Sequence, residues 1–334
     1  MQANQRKPHR PGRIRATLTL IGLAATLCCT AYAQGGYPAR PVSLVVGFAA
    51  GGSTDKLARL LAREMQEALG QQVVIENRPG AAGNIAAQYV AQAAPDGYTL
   101  FMATLSSQAI NPWLYAKPGF DPLKSFEPVA LVARYPLVVA VNPAMPTQTS
   151  AELLAYMRAN PGKVFFSSAG SGSPGHLSGE LVKSQAKVDM THVAYKGGGP
   201  AMLAAMGGEV TLTIETIPAM IPHVKSGKLK GLAVTSGQRS AALPQLPTLS
   251  ESGLAGFEVT SWAGVVAPAK TPPDALEKLQ AAVGKALAVP RLKSAMEADG
   301  ALPSYMPGKQ FQVFTAAELK RWGEVVRSAN VKAD

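Results

Sequence analysis

The chain has 334 residues, 47% of them hydrophobic, with 32 glycines, 26 prolines and a formal charge of +11. That length and apolar content allow a core larger than one domain needs and exclude disordered, collagen-like and coiled-coil classes. Arg6, Lys7, Arg10, Arg13 and Arg15 open the chain with no acid among them, so without residues 1–33 the charge falls from +11 to +6; no later basic block is interleaved with aromatics, and nucleic acid is not an expected partner.

The basic opening runs into an apolar stretch over 16–29 and then Ala31-Tyr32-Ala33. These are the three parts of a secretory signal peptide, assigned to 1–33. The apolar run is short for a membrane span, and no later stretch approaches about twenty uninterrupted apolar residues. A soluble, periplasmic mature chain is the expectation. Both cysteines, Cys28 and Cys29, fall in the leader, so no disulfide is expected.

Residues 42–46 read as a buried strand, 47–55 as a glycine-rich turn, and Leu57, Leu60, Leu61, Met65, Ala68 and Leu69 as the apolar stripe of a helix ended by Gly70 and capped by Ser53 or Thr54. A strand at 73–75, a second glycine-rich turn at 77–84, a helix over 84–94 and a strand at 99–102 follow. This alternation predicts parallel α/β structure. Residues 131–141 form a long strand-like segment with Pro136 inside, read as a crossing between domains. A second series follows: a strand at 164–168, a glycine-rich turn at 169–176, a helix, a strand at 191–195, Lys196-Gly-Gly-Gly199, another helix, a strand at 210–214 and one at 229–235. The return crossing is placed at 259–267. A helix then starts near Asp274, and 307–327 reads as an amphipathic helix.

Two of the strand-to-helix turns invite anion chemistry. Turns 47–55 and 169–176 each offer glycine backbone, unpaired N–H groups at a helix start, and the hydroxyls Ser53, Thr54, Ser171 and Ser173. Neither contains a basic residue apart from Lys56 at its edge, so recognition rests on amides and hydroxyls. The bland alternative for either turn is a helix cap that needs small residues. Asp55 has the alternatives of orienting its loop, touching ligand or stabilising the helix start; Glu215 could line the cleft or be a solvated strand end.

Three decoys are weighed against this. Gly170, Gly172 and Gly175 match a dinucleotide fingerprint, but the acid, Asp189, precedes its strand instead of ending it. Ser171-Gly-Ser173-Pro-Gly175 with His176 imitates a nucleophile elbow, yet Pro174 has no N–H for an oxyanion hole. His176, His192 and His223 are far apart and have no cysteine companions, so no metal site is expected. No catalytic residue and no cofactor are expected; an exported serine hydrolase using Ser173 and His176, or a ligand-reporting protein for a membrane sensor, are the rival functions.

Tyr37-Pro-Ala-Arg-Pro41, Gly47-Phe-Ala-Ala-Gly-Gly-Ser-Thr-Asp55, Glu76-Asn-Arg-Pro-Gly-Ala-Ala-Gly-Asn84, Pro95-Asp-Gly-Tyr98, Asn111-Pro112, Phe126-Glu-Pro-Val129, His192-Val-Ala-Tyr-Lys-Gly-Gly198 and Gly227-Lys-Leu-Lys-Gly-Leu-Ala-Val-Thr-Ser236 occur in this order. In order and spacing the set resembles the Bug family, the substrate-binding proteins of tripartite tricarboxylate transporters. The resemblance implies a type II periplasmic-binding-protein fold, two α/β domains with a ligand cleft at the hinge, closing like a Venus flytrap on a small organic anion such as a carboxylate. It implies the membrane subunits of such a transporter as partners, and a monomer. Ligand positions carried over are Phe48, Ala49, Gly51, Gly52, Ser53 and Asp55, with Thr104 and Ser107, in domain 1, and Ala169, Gly170, Ser173, His176 and Tyr195, with Glu215, in domain 2. Gly47 stands where the family often has Pro, and Glu215 where Asp is common. The expected domains are 34–136 with 263–334, and 137–262.

Overall fold

Val42, Leu44, Val45 and Val46 are all fully buried, and this nearly unbroken apolar run makes β1 (Val42–Val46) an inner strand. In the structure, a computed structural model, residues 1–3, 36–329 and 331 are described, so the expected signal peptide lies outside the described residues apart from its first three. Met1–Ala39 and Arg40–Asp334 are two compact units, and the elements below belong to the second.

α1 (Ser53–Leu69) buries Leu57, Leu61 and Met65 of the expected stripe together with Ala58 and Ala62, leaves Leu60, Ala68 and Leu69 half-buried, and ends where Gly70 turns left-handed at φ 66°. Its cap differs from expectation: Gly52 occupies the N-cap position and no side chain caps the helix. β2 (Val73–Asn77) and β3 (Thr99–Thr104) flank β1 in parallel. Between them a tight turn at Ala81–Gly83 leads into α2 (Asn84–Ala91), shorter than the sequence suggested. Ala81 and Ala82 both have left-handed backbone, with φ 45° and 49°. For L-residues this costs about 1–2 kcal/mol each. The Asn111 side-chain amide braces the turn by donating to the carbonyls of Ala81 and Ala82 and to Asn84 Oδ1.

The long segment with Pro136 is β4 (Phe126–Val141), five residues longer at its start than the sequence indicated. It serves two groups of strands. From Phe126 to Pro136 it runs antiparallel to β9 (Thr260–Pro268), which also pairs with β3, and it takes β10 (Leu302–Pro307) on part of its other edge. From Leu137 to Val141 it pairs instead with β7 (Leu212–Thr216) and β8 (Lys230–Val234). Proline has no N–H to give a ladder, and Pro136 stands where the strand changes partners. Thr235 pins this switch: its hydroxyl accepts from the Leu137 N–H at 2.9 Å and donates to the Val259 carbonyl at 2.7 Å. β5 (Phe165–Ser168) joins β7 in parallel and carries β6 (Thr191–Ala194) on its outer edge.

The remaining helices are α3 (Asn111–Leu114), which follows a π-helical turn at Ser106–Ile110, then α4 (Ser150–Ala159), α5 (Pro174–Ala186), α6 (Gly198–Gly207), α7 (Ile217–Lys225), α8 (Pro273–Ala288), α9 (Pro290–Ala298) and α10 (Gly308–Ser328). His223 lies inside α7. α10 is fastened to β9 by Glu318, whose Oε2 accepts from the indole N–H groups of Trp262 and Trp322 at 3.1 and 3.2 Å. Trp262, Trp322 and Phe311 are almost fully buried around it. No helix among the described residues is long and apolar enough to cross a membrane.

Candidate functional site

The β1–α1 turn is shaped from beneath. A Cβ at Gly47 would stand 2.7 Å from Gly83 Cα, so only glycine lets the turn lie against the strained Ala81–Gly83 segment. Asp55, 2% exposed, holds the turn's other end. Its Oδ2 accepts from the Gly51 N–H at 2.8 Å and from Arg59 Nε at 2.9 Å, and its Oδ1 accepts from Asn77 Nδ2 at 2.9 Å. Asn77 Nδ2 also reaches the Phe48 carbonyl at 3.0 Å. Burial opposes the charge, but the bonds from Arg59, Gly51 and Asn77 outweigh it and hold the Asp55 carboxyl below its usual range. Asp55 is thus an organiser of the turn, and its oxygens are already engaged. Phe48 packs its ring toward Gly83, while Ala49, Gly51 and Gly52 present exposed backbone.

Thr104 and Ser107 are buried and bonded to each other: Ser107 Oγ accepts from the Thr104 N–H at 3.1 Å and lies 3.2 Å from the Thr104 carbonyl. They close the β3 end into the π-helical turn, an irregularity often found at functional sites.

In the second group of strands, β5 ends at Ser168 and turn 169–173 leads into α5. Ser173 is the N-cap, accepting from the His176 N–H at 3.3 Å and donating to Ser168 Oγ at 3.0 Å. Ser168 Oγ in turn meets His192 Nε2 at 2.7 Å. The Gly172 N–H donates to His176 Nδ1 at 3.3 Å. The Ala169 carbonyl accepts from the Gly197 N–H, and Gly170 lies against the Tyr195 carbonyl. The Tyr195 phenol points elsewhere, 3.5 Å from Glu209 Oε2, so backbone is what Tyr195 brings to this corner. Glu215 falls inside β7, not after it. Its Oε1 accepts from the Thr216 N–H at 2.7 Å and its carboxylate lies over Gly198 at the start of α6. Burial pushes its pKa up, against the smaller opposing effect of the Thr216 bonds.

Each turn touches the other group of strands. Ser53 Oγ, at the start of α1, lies 3.3 Å from Thr216 Oγ1 at the end of β7, and Ser106 Oγ, in the π-helical turn after β3, reaches the Gly172 carbonyl at 3.4 Å. Gly172, with φ 77°, sits so close to α3 that a Cβ there would stand 2.6 Å from Leu114 Cδ1 and 3.1 Å from Asn111 Oδ1. The starts of α1 and α5 each bring helix N–H groups that favour an anion. Ser173 as a cap, followed by Pro174, is poorly placed to act as a nucleophile. Among the described residues no group of three or more His, Cys, Asp or Glu is arranged to hold a metal ion.

Residues 57–331 match the model of the tripartite tricarboxylate transporter family receptor. The chain belongs to this family. Protein BugT of Bordetella pertussis is 38% identical over 297 residues, covering 89% of this chain and 91% of its own. Among solved structures, an adipate-bound protein from R. palustris superposes with a TM-score of 0.85 at 38% identity, covering 90% of this chain and all of that one. The malate-bound MatC of Rhodopseudomonas palustris gives 0.79 at 36% identity, covering 87% of this chain and all of its own. With this fold and these relatives, the receptor is a solute-binding protein of the periplasmic-binding-protein type and not an enzyme.

Several residues that bond to the two turns or to their supports were not singled out for this role from sequence: Asn77, Ser106, Asn111, Ser168, His192 and Thr216. Ser168 carried a signal, since two serines end the otherwise aromatic strand β5 directly before a glycine-rich turn. Ser106 and Thr216 carried none, because their role depends on a contact across the cleft.

Proposed function

We propose that the receptor captures a small organic carboxylate between turns 47–53 and 169–173 and presents it, in the periplasm, to the membrane subunits of a tripartite tricarboxylate transporter. The observation that carries this is the pair of contacts that tie each turn to the other group of strands, Ser53 to Thr216 and Gly172 to Ser106. N–H groups and hydroxyls from both sides suit a carboxylate without an ion pair. The adipate and malate bound by two of the similar solved proteins support the same class. Export with removal of residues 1–33 and action as a monomer belong to the same proposal. So does a division into 34–136 with 263–334, and 137–262, flexing at the crossings; it is supported by the partner change between Pro136 and Leu137.

In this proposal Phe48, Ala49, Gly51, Gly52, Ser53, Ala169, Gly170 and Ser173 face the ligand, chiefly through backbone. Asp55, Thr104, Ser107 and His176 shape the two turns, Tyr195 contributes main chain, and Glu215 borders the cleft at the end of β7.

A thermal-shift screen tests the class: adipate, malate, other mono- and dicarboxylates, and the neutral amide of each. Binding to the native state alone adds about 2.7 kcal/mol at a hundredfold excess over Kd. The expected result is a raised Tm with at least one acid and none with its amide. Equal shifts with acid and amide, or none with any acid after co-purified solute is removed, would overturn the carboxylate assignment.

A further inference from the structure

His176 and His192 lie directly behind turn 169–173. Their rings stack face to face, 3.7 Å between centroids and 7° from parallel. Phe166 closes the same pocket with its ring 4.9 Å from His192 and 6.4 Å from His176. Each ring is tied to the turn by a different route. The Gly172 N–H donates to His176 Nδ1, and a backbone amide can only donate, so this nitrogen must carry a lone pair. His192 reaches the turn through Ser168 Oγ, which Ser173 Oγ and the Gly170 N–H also address.

We infer that His176 and His192 act together as positioning residues that hold turn 169–173 in its binding geometry only while His176 Nδ1 is unprotonated, so that ligand capture weakens as pH falls. This rests on the proposed use of that turn as one wall of the ligand site. A proton on Nδ1 replaces the acceptor of the Gly172 N–H with a second donor and drives the amide away. Gly172 cannot move far without disturbing the cleft, because its carbonyl receives Ser106 Oγ and its Cα is pressed against Leu114 and Asn111. The second ring adds cooperation: two imidazolium ions cannot share a 3.7 Å stack without strong repulsion, so one proton on the pair opposes the next.

On α5, Glu180 Oε1 stands 4.0 Å from His176 Nε2 and favours a charged ring, but Lys183 pairs with Glu180 at 3.0 Å and offsets it. β5 contributes Phe166 and Ser168, both uncharged. From across the cleft Ser106, Asn111 and Leu114 face the turn, also uncharged.

Two readouts test this in the purified protein. Without ligand, the Gly172 amide and the histidine rings are followed by NMR from pH 8 to pH 5. The expected result is a Gly172 amide shift, with faster amide exchange, that tracks titration of His176. Titration of His176 with no response at Gly172, or two rings titrating independently, would overturn the inference. With the acid found in the thermal-shift screen, Kd is measured over the same range. Wild type is expected to lose affinity by up to about tenfold per pH unit once the pair takes up its proton. His176→Asn presents an acceptor with no titration and is expected to flatten the profile; His176→Phe has no acceptor and is expected to bind weakly at every pH. A His176→Asn profile as steep as wild type would also overturn it. If no carboxylate binds at any pH, the proposed function fails, and the Gly172 measurement still decides the role of the pair. Far-UV circular dichroism at each pH separates loss of the turn from loss of the fold.

Discussion

Asp55 illustrates how one buried side chain can hold a turn together. Both of its oxygens are engaged by Gly51, Arg59 and Asn77, and the bonds hold its charge in place although it is buried. Its pKa is lower in the folded state than in the unfolded chain. Its contribution to stability is therefore complete above about pH 4 and is lost as pH falls through the depressed folded value. Asp55→Asn keeps the shape but not the charge-assisted bonds. It is expected to lower stability by about 2 kcal/mol in urea unfolding at pH 7, and to narrow the gap to wild type below pH 4. Equal stability at pH 7 would mean the turn does not lean on this carboxylate. From sequence alone Asp55 had three roles open, orienting its loop, ligand contact or helix start; the bond from Asn77, on a strand more than twenty residues away, gives the first of these a partner that spacing could not reveal.

At the level of elements, the sequence was most legible where a pattern was local. The stripe Leu57, Leu61 and Met65 and the left-handed Gly70 define α1 on their own. Boundaries were less legible where tertiary contacts extend a strand: β4 begins at Phe126 because β9 and β10 pair with it, and β7 runs on through Glu215 and Thr216 because β4 does. The two anion-favouring turns could be read from glycines and serines. Their ties to the other group of strands could not, since Ser53–Thr216 spans 163 positions. α10 shows a second kind of long-range tie, the Glu318 carboxylate shared by two buried indoles on different elements. Glu318→Leu strands both N–H groups and is expected to lower stability by about 3 kcal/mol. Glu318→Gln retains an acceptor and is expected to lose roughly a third of that. Denaturant unfolding followed by tryptophan fluorescence checks the order; a Leu variant no weaker than the Gln variant would show that packing, not the acceptor, anchors the helix.

At the largest scale, β4 is the strand that both groups share, and Thr235 is the pin where it changes partners. Its hydroxyl is buried and serves Leu137 on one strand and Val259 beside the other. Thr235→Val keeps the shape and removes the bonds. It is expected to lower stability by about 2 kcal/mol and to weaken ligand binding, because the crossings set how the two turns face each other. Thr235→Ser keeps the hydroxyl and is expected to restore binding. Unchanged affinity in the Val variant would mean that the crossings tolerate slack there.

The contacts across the cleft are few and long for hydroxyl groups, 3.3 Å at Ser53–Thr216 and 3.4 Å at Ser106–Gly172, beyond the usual O–H···O range of about 2.5–3.0 Å. In the proposed capture, bonds of that length would register closure without enforcing it, and most of the free energy of shutting would come from a solute that touches both walls. The state of the cleft would then be a message about its contents, legible to anything that inspects the outside of the molecule. A tighter pair of hydroxyls would shut an empty cleft as readily as a full one, and the message would be lost.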